Sequence, residues 1–266
     1  MESRKYACLN DRDWLVREYL DNGRSTLDIA RSIGAPTGNS VRQALARFSI
    51  PIRNRSKAQT HKRSDGFRLN LEVLHGCLLG DGGLKKSNPR SQLSMPYFYK
   101  KNKNYDHVEF VANQLFDCNV SDRIVDDTNI INGKSFTYHK LSSFANENLD
   151  ALYKDWYPAG KKVVPNNVCV TTTTLLHWFL DDGSSSHRRK ESKTKQITIT
   201  MSSQSFTKTE QEMLCSLFNE SFELGMSLKK TNSGTGYVIG ISQSKSQHFF
   251  DVIGKCPVDS MIYKWK

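Results

Sequence analysis

Two stretches, Leu74-His75-Gly76-Cys77-Leu78-Leu79-Gly80-Asp81-Gly82 and Leu175-Leu176-His177-Trp178-Phe179-Leu180-Asp181-Asp182-Gly183, each run an apolar helix-type segment straight into Asp-Gly. Either stretch alone is ordinary, because Gly is the commonest helix stop and Asp-Gly marks many turns. An acid in the last turn of a helix, however, opposes the negative end of the macrodipole and costs about 0.3–1 kcal/mol. Two such acids in equivalent contexts invite a cation. If the two helices pack side by side, both carboxylates arrive at one place, together with the backbone carbonyls freed at the helix ends. With no cysteine cluster nearby, that donor set describes a hard, oxygen-ligated ion of the Mg2+ type.

The sequence after each Asp-Gly repeats the same order of patterns. In the first copy a motif helix, about Leu69 to Gly80, leads to a β-type run, Ser91 to Tyr99. Helical spacing follows over Asp106 to Phe116, then strand-type runs Arg123 to Thr128 and Ser135 to Leu141 around Asn132-Gly133, then a helix over Phe144 to Tyr153. In the second copy the corresponding segments are Thr173 to Asp181, Gln196 to Met201, Thr209 to Phe222, Ser227 to Lys230, Tyr237 to Ser242 and Gln247 to Ile253. A further short strand is expected near Lys85 and near Ser184, which makes each unit α-β-β-α-β-β-α. An internal repeat of this size implies a pseudo-twofold protein.

Composition narrows the partner. The chain has 266 residues, 38 Lys+Arg against 27 Asp+Glu and a formal charge of +11. Its N-terminal quarter is the most one-sided part: Val41 to Ser64 holds Arg42, Arg47, Arg53, Arg55, Lys57, Lys62 and Arg63 and no acid. A polyanion is the natural partner of such a surface. No apolar run approaches the ~18 residues of a membrane span, and no apolar segment follows the N-terminal Met1-Glu2-Ser3-Arg4-Lys5, so neither a membrane nor secretion is expected. Cys8, Cys77, Cys118, Cys169, Cys215 and Cys256 are scattered without ligand spacing and read as reduced thiols of an intracellular protein, in cytoplasm, nucleoid or organelle matrix.

Residues 1–52 read as a small helical module. Asn10 is placed to cap a first helix with an apolar stripe of Trp14, Leu15, Val16, Tyr19 and Leu20, ended by Asn22-Gly23. Ser25 and Asp28 resemble a capping box that opens a second helix, Leu27 to Ile33, closed by Gly34. A third, Asn39 to Phe48, turns Val41, Leu45 and Phe48 inward and Arg42, Gln43 and Arg47 outward. The segment resembles a helix-turn-helix whose third helix reads the major groove of DNA, although Ala35 to Ser40 is longer than the usual turn. A basic three-helix accessory bundle is the alternative. Residues 53–66 form a polar, basic linker, leaving 67–160 and 161–266 as the two copies of the repeat.

A doubled apolar helix ending in Asp-Gly, each followed by strands rich in Lys, Arg, Ser and Thr, resembles the LAGLIDADG homing endonucleases in their single-chain, two-motif form. The resemblance extends to Lys161-Lys162-Val163-Val164-Pro165-Asn166-Asn167, to Ser205-Phe206-Thr207 with Glu210, and to Met261-Ile262-Tyr263-Lys264. It implies an α+β fold in which the motif helices pack on the pseudo-twofold axis and each half lends a saddle-shaped antiparallel sheet to DNA. It also implies that Asp81 and Asp182 bind Mg2+ or Mn2+ with help from the main-chain carbonyls of Gly80 and Asp181. Lys162 and Lys264 stand at the family's basic positions, to polarise water, to neutralise charge on the phosphate, or simply to position it. His177 and Asp181 stand where the family keeps small residues, which bears on how closely the helices pack. His75 and His177, lone histidines on apolar helices, read as packed side chains.

The implied reaction is site-specific hydrolysis of both strands of double-stranded DNA, across the minor groove and leaving short 3′ overhangs, at a long, non-palindromic target. The expected readers are Gln92, Tyr97, Tyr99, Arg123, Lys134, Tyr138 and Lys140 in the first half and Lys195, Thr198, Thr200, Lys229 and Gln243 in the second, with Arg42, Gln43, Arg47, Arg53 and Arg55 ahead of them. Both motifs lie in one chain, so a monomer is expected. The alternative is a binder of the same fold that does not cut, either a maturase acting on intron RNA or a transcription regulator. A small-molecule metalloenzyme fails on charge and on the lack of a Gly-rich or His-rich pocket signature.

Overall fold

Helix α1, Arg12–Val16, is capped by Asp11, whose carboxylate accepts from the N–H groups of Asp13 and Trp14. The expected cap, Asn10, instead ends a 3-10 turn, Ala7–Asn10, one residue too early to reach those donors. A π-turn, Arg17–Asp21, continues α1 and rotates Leu20 out to 42% exposure while Leu15 and Tyr19 stay buried. Helix α2, Thr26–Ser32, has Ser25 as its cap, accepting from the Asp28 N–H and donating to the Asp28 carboxylate. Helix α3, Asn39–Arg47, buries Val41, Ala44 and Leu45 against Ile29 and Ala30 of α2. Gly38 is required where the two approach, since a Cβ there would lie 2.9 Å from the Thr26 hydroxyl.

The computed structural model describes residues 6–52, 66–88, 94–117, 120–131, 134–187, 197–231 and 234–265. The linker residues Arg53 and Arg55, and Gln92 and Lys195, lie outside them, as does the side chain of Lys134. The helical segment is one compact unit and the doubled repeat another.

In the second unit each copy of the repeat folds in the expected order. The first contains α4, Leu71–Leu79; β1, Gly83–Lys86; β2, Pro96–Asn102; α5, Tyr105–Leu115; β3, Ile124–Ile131; β4, Lys134–Ser142; and α6, Asp150–Trp156. The second contains α7, Thr172–Asp182; β5, Gly183–His187; β6, Ile197–Met201; α8, Lys208–Phe222; β7, Met226–Lys230; β8, Tyr237–Ile241; and α9, Ser246–Ile253. A 3-10 segment, Asp259–Trp265, follows. The sheets are antiparallel and share one topology, β1-β2-β4-β3 and β5-β6-β8-β7. Boundaries differ where local chemistry decides them: β2 is Pro96–Asn102, with residues 91–93 of the expected run outside the described residues, Arg123 ends a 3-10 turn ahead of β3, and Phe144 precedes a 3-10 segment, Glu147–Leu149, that leads into α6.

The motif helices α4 and α7 pack against each other, and one hydrophobic cluster runs through both halves, from Val73, Leu74 and Phe98 to Trp178, Phe218 and Phe249. Their contact is uneven by design of the sequence. A Cβ on Gly76 would lie 2.6 Å from His177 Cβ, and one on Gly80 would lie 2.3 Å from Asp181 Cβ. The i, i+4 glycines of α4 therefore receive the i, i+4 side chains His177 and Asp181 of α7. Bulk on one helix is met by its absence on the other, so the departures of the second motif leave the packing close.

Both motif histidines are packed. His177 stacks on Phe110 of α5 with ring centroids 5.3 Å apart, and His75 sits edge-on to Trp156 and accepts the Cys169 N–H at Nδ1, 2.7 Å away. An acceptor at Nδ1 requires the neutral ring. Burial accordingly lowers His75 from 6.5 to about 4 and His177 to about 3.

Two outcomes follow from this packing. Gly76→Ala lowers stability by about 1–3 kcal/mol through overpacking, the reverse of the gain Gly→Ala brings in an open helix; urea unfolding that shows equal or higher stability contradicts the close contact. For the histidines, the folded pKa lies below the unfolded one, so the unfolded chain takes protons first on acidification. Stability contributed this way is complete above about pH 6.5 and is lost as pH falls toward 4. Between pH 7 and 5 the wild-type Tm should fall relative to that of His75→Asn, which keeps an acceptor for Cys169 but no titrating ring; parallel wild-type and variant curves refute the assignment.

Candidate active site

The two motif helices end differently. Helix α4 stops at Leu79, so Asp81 lies in the turn beyond it, whereas α7 continues through Asp182 and is capped by Gly183. The orphan carbonyls of both ends are taken by lysines from elsewhere in the chain. Lys162 Nζ donates to Gly80 O and Gly82 O, each at 2.9 Å. Lys264, buried in the final 3-10 segment, donates to Phe179 O, Leu180 O and Asp181 O at 3.2, 2.6 and 3.2 Å. The carbonyls of Gly80 and Asp181, expected as metal ligands, thus accept from ammonium groups. The negative helix ends that invited a cation are answered first by lysine.

The adjacent acids have opposite environments. The Asp181 carboxylate is fully buried, paired with fully buried Lys100 of β2, with His107 Nε2 of α5 at 3.4 Å. Its other oxygen accepts the backbone N–H of Asp81 at 3.1 Å. Burial works against its charge, yet Lys100, then His107, holds it below the ordinary carboxylate range. Lys100 is likewise opposed by burial and carried above its usual value by Asp181. His107 falls to about 4, through burial and then Lys100, and is neutral. The side chain of Asp181 is therefore a link from the second motif into the first half.

Asp81 and Asp182 carry no such partners. Among the described residues neither carboxylate makes a side-chain hydrogen bond or ion pair. Burial, then the neighbouring Asp181, raises Asp81; burial, then Asp81 and Asp181, raises Asp182 to about 7. Carboxylates raised by burial and by neighbouring acids are relieved by a positive ligand. No group of three or more His, Cys, Asp or Glu among the described residues could hold a metal. A divalent cation fits Asp81 and Asp182 as hard oxygen donors, with the remainder of its six or more ligands drawn from water and a bound substrate. Lys162 is lowered to about 8, chiefly by burial, and Lys264 is lowered for the same reason.

Sheet register assigns the expected readers to one face. On β2 Phe98 and Lys100 are buried and Tyr97, Tyr99 and Lys101 alternate outward; Tyr99 pairs with Ser142 and Lys101 with Lys140, which sets Lys140 and Tyr138 on that outward side. In the second sheet Ile199 and Met201 face the core, while Thr198, Thr200 and Lys229 take the other side, with Lys229 lying across Gly240 and Gln243 donating to Thr198. Arg123 is held over the Phe144 ring, 4.6 Å from its centroid. An open cleft of about 410 Å3 beside Asp81 is lined by Lys101, Lys103, Tyr138, Tyr263 and Lys264. Lys101, Lys103 and Tyr263 were not singled out from sequence, although Lys101 continues the Tyr97, Tyr99 alternation. In the helical unit Arg42 and Gln43 are exposed, but the Arg47 guanidinium donates to Leu9 O and Asn10 Oδ1 and so braces the first turn.

Residues 71–249 match the LAGLIDADG DNA endonuclease family. The cytochrome b mRNA maturase bI2 of Debaryomyces hansenii is 24% identical over 216 residues, 76% of this chain and 78% of that protein. The probable intron-encoded endonuclease 1 of Wickerhamomyces canadensis is 25% identical over 200 residues, 74% of this chain and 84% of that protein. Among solved structures, the homing endonuclease I-WcaI bound to its DNA recognition sequence aligns with a TM-score of 0.65 at 20% identity, covering 83% of this chain and 97% of that one. At that identity the likeness is one of fold, and it extends to the paired four-stranded sheets. No helix among the described residues is long and apolar enough to cross a membrane.

The raised pKa of Asp182 predicts a site that costs stability. Between about pH 4 and 7 the folded carboxyl keeps a proton that the unfolded one has lost, so stability falls as pH rises through that window. Asp182→Asn should therefore stabilise the metal-free protein at pH 8 by about 1–3 kcal/mol, a few degrees in Tm, and have no such effect at pH 4. A lower Tm for the variant at pH 8 contradicts an unpaired carboxylate.

Proposed function

Because the chain belongs to the LAGLIDADG DNA endonuclease family, we propose that it is a divalent-metal-dependent homing endonuclease that cuts both strands of a long, asymmetric DNA target. The observation that carries this reading is the pair of carboxylates without side-chain partners, Asp81 and Asp182, at the ends of two packed helices, each raised by burial and by neighbouring acid.

In this reading Asp81 and Asp182 would hold Mg2+ or Mn2+, which would supply Lewis acidity to the attacking water and the phosphate. Lys162 and Lys264 keep their ammonium groups on the helix-end carbonyls, beside the position of the scissile phosphate, and offset the charge that builds there. Lys162, with a pKa near 8, also holds a proton that is exchangeable close to neutral pH. Tyr97, Tyr99, Lys101, Tyr138 and Lys140 on one sheet and Thr198, Thr200, Lys229 and Gln243 on the other orient the duplex and read base edges. These two sets differ in size and charge, so the halves of the target differ too.

The N-terminal three-helix unit is assigned a helix-turn-helix role, with Arg42 and Gln43 of α3 at the groove and Arg47 as a structural brace. One chain carries both motifs, and a monomer suffices. A second reading, assistance of intron RNA splicing, is favoured by the similarity to a maturase over most of the chain; it uses the same basic surface and does not need the carboxylates.

The test is cleavage of plasmid and genomic DNA with Mg2+ or Mn2+, followed by sequencing of the ends. Discrete double-strand cuts at one long site are expected, abolished by EDTA and reduced on the order of 100-fold or more in Asp81→Asn and Asp182→Asn. Salt-sensitive binding without cleavage, together with accelerated splicing of an intron RNA, would replace this function by the second reading.

A further inference from the structure

The two acids at the helix ends are positioned by different means. Asp182 belongs to the last turn of α7 and its backbone is fixed by the helix itself. Asp81 lies beyond the end of α4, where the neighbouring residues Gly80 and Gly82 return to Cys77 O but the Asp81 N–H has no carbonyl of its own chain segment. Its donor goes instead to Oδ2 of Asp181, from the other motif, at 3.1 Å. No reciprocal bond exists, because the residue of α4 that matches Asp181 is Gly80, which has no side chain and whose missing Cβ is the space the Asp181 carboxylate fills. Buried Lys100 from the first half donates to Oδ1 of the same carboxylate, so that its two oxygens are held from both sides, with the neutral His107 ring packed at 3.4 Å.

We propose that Asp181, braced by Lys100, is a positioning residue for Asp81 alone, so that the two cleavage sites of this enzyme depend on different parts of the molecule and one strand's cleavage can be lost without the other's. This rests on the endonuclease reading above. Its chemistry is a single anchored hydrogen bond: the buried carboxylate orients the peptide unit that carries the Asp81 side chain toward the cation. Lys100 is required because an unpaired carboxylate at that depth would be neutralised or displaced, and the acceptor would turn away.

Removing one charge alone leaves the other buried and risks misfolding, so the experiment uses paired substitutions. Lys100→Met/Asp181→Ala removes both charges and the acceptor; Lys100→Gln/Asp181→Asn removes both charges but keeps an oxygen for the Asp81 N–H, the Asn amide being turned to the Gln oxygen. Single-turnover cleavage is followed on duplex target labelled on each strand in turn, and amide exchange at Asp81 is followed by NMR in the metal-free protein. The first variant should change the ratio of the two strand rates by roughly tenfold or more and accelerate exchange at Asp81 by a similar factor, with both restored in the second variant. An equal fall on both strands, or failure of the second variant to restore the ratio, overturns the proposal. If the wild-type chain cleaves nothing, the endonuclease reading fails, and exchange at Asp81 still decides whether Asp181 holds that amide.

Discussion

The contact of Gly76 and Gly80 with His177 and Asp181 is the constraint from which the rest of this structure follows. Two apolar helices can be brought side by side by hydrophobic burial alone, but their backbones approach only where side chains are absent. Here absence is concentrated on α4 and bulk on α7, at the same i, i+4 spacing. Because the bulk is polar, it reaches through α4 into the first half, where His177 meets Phe110 and Asp181 meets Lys100 and His107. The seam between the halves is thus also their electrostatic link, and the approximate twofold symmetry of the fold is broken at its axis.

That link sorts the aspartates at the seam by function. Asp181 is buried with a cation of the chain; Asp81 and Asp182 are left without one and are raised, Asp81 by burial and Asp181, and Asp182 by burial, Asp81 and Asp181. Lys162 and Lys264, which on chemistry alone could neutralise those acids, are spent on the carbonyls of the helix ends. Two carboxylates without an ion-pair partner therefore remain at one place in a chain whose formal charge is +11. In the proposed function a cation arriving with a phosphodiester would complete the site, and the stability lost to crowding the carboxylates would be the cost of keeping it open.

Much of this was legible in the order of residues. The motif helices, the repeated order of elements and the strands that follow them come from apolar period and Asp-Gly punctuation, which are local signals. The short strands β1 and β5 were only located approximately, because Gly-Leu-Lys-Lys and Gly-Ser-Ser-Ser-His have little apolar alternation and exist by pairing with β2 and β6. Lys100 was missed: inside Lys100-Lys101-Asn102-Lys103 it reads as one more solvated charge, and only its parity with Phe98 says that it turns inward. The cap at Asp11 in place of Asn10 is a one-residue shift that composition cannot decide. The roles of Lys162 and Lys264 as covers of the helix ends needed the fold, because each comes from a distant segment.

The most direct test of the account is a crystal structure of the protein with uncleaved target DNA and Mn2+, with the metal located by anomalous scattering. Peaks beside the carboxylates of both Asp81 and Asp182, with Asp181 still on Lys100 and the Asp81 N–H, are predicted. Metal ligated by the Asp181 carboxylate with Lys100 displaced, or no metal at either aspartate, would contradict it.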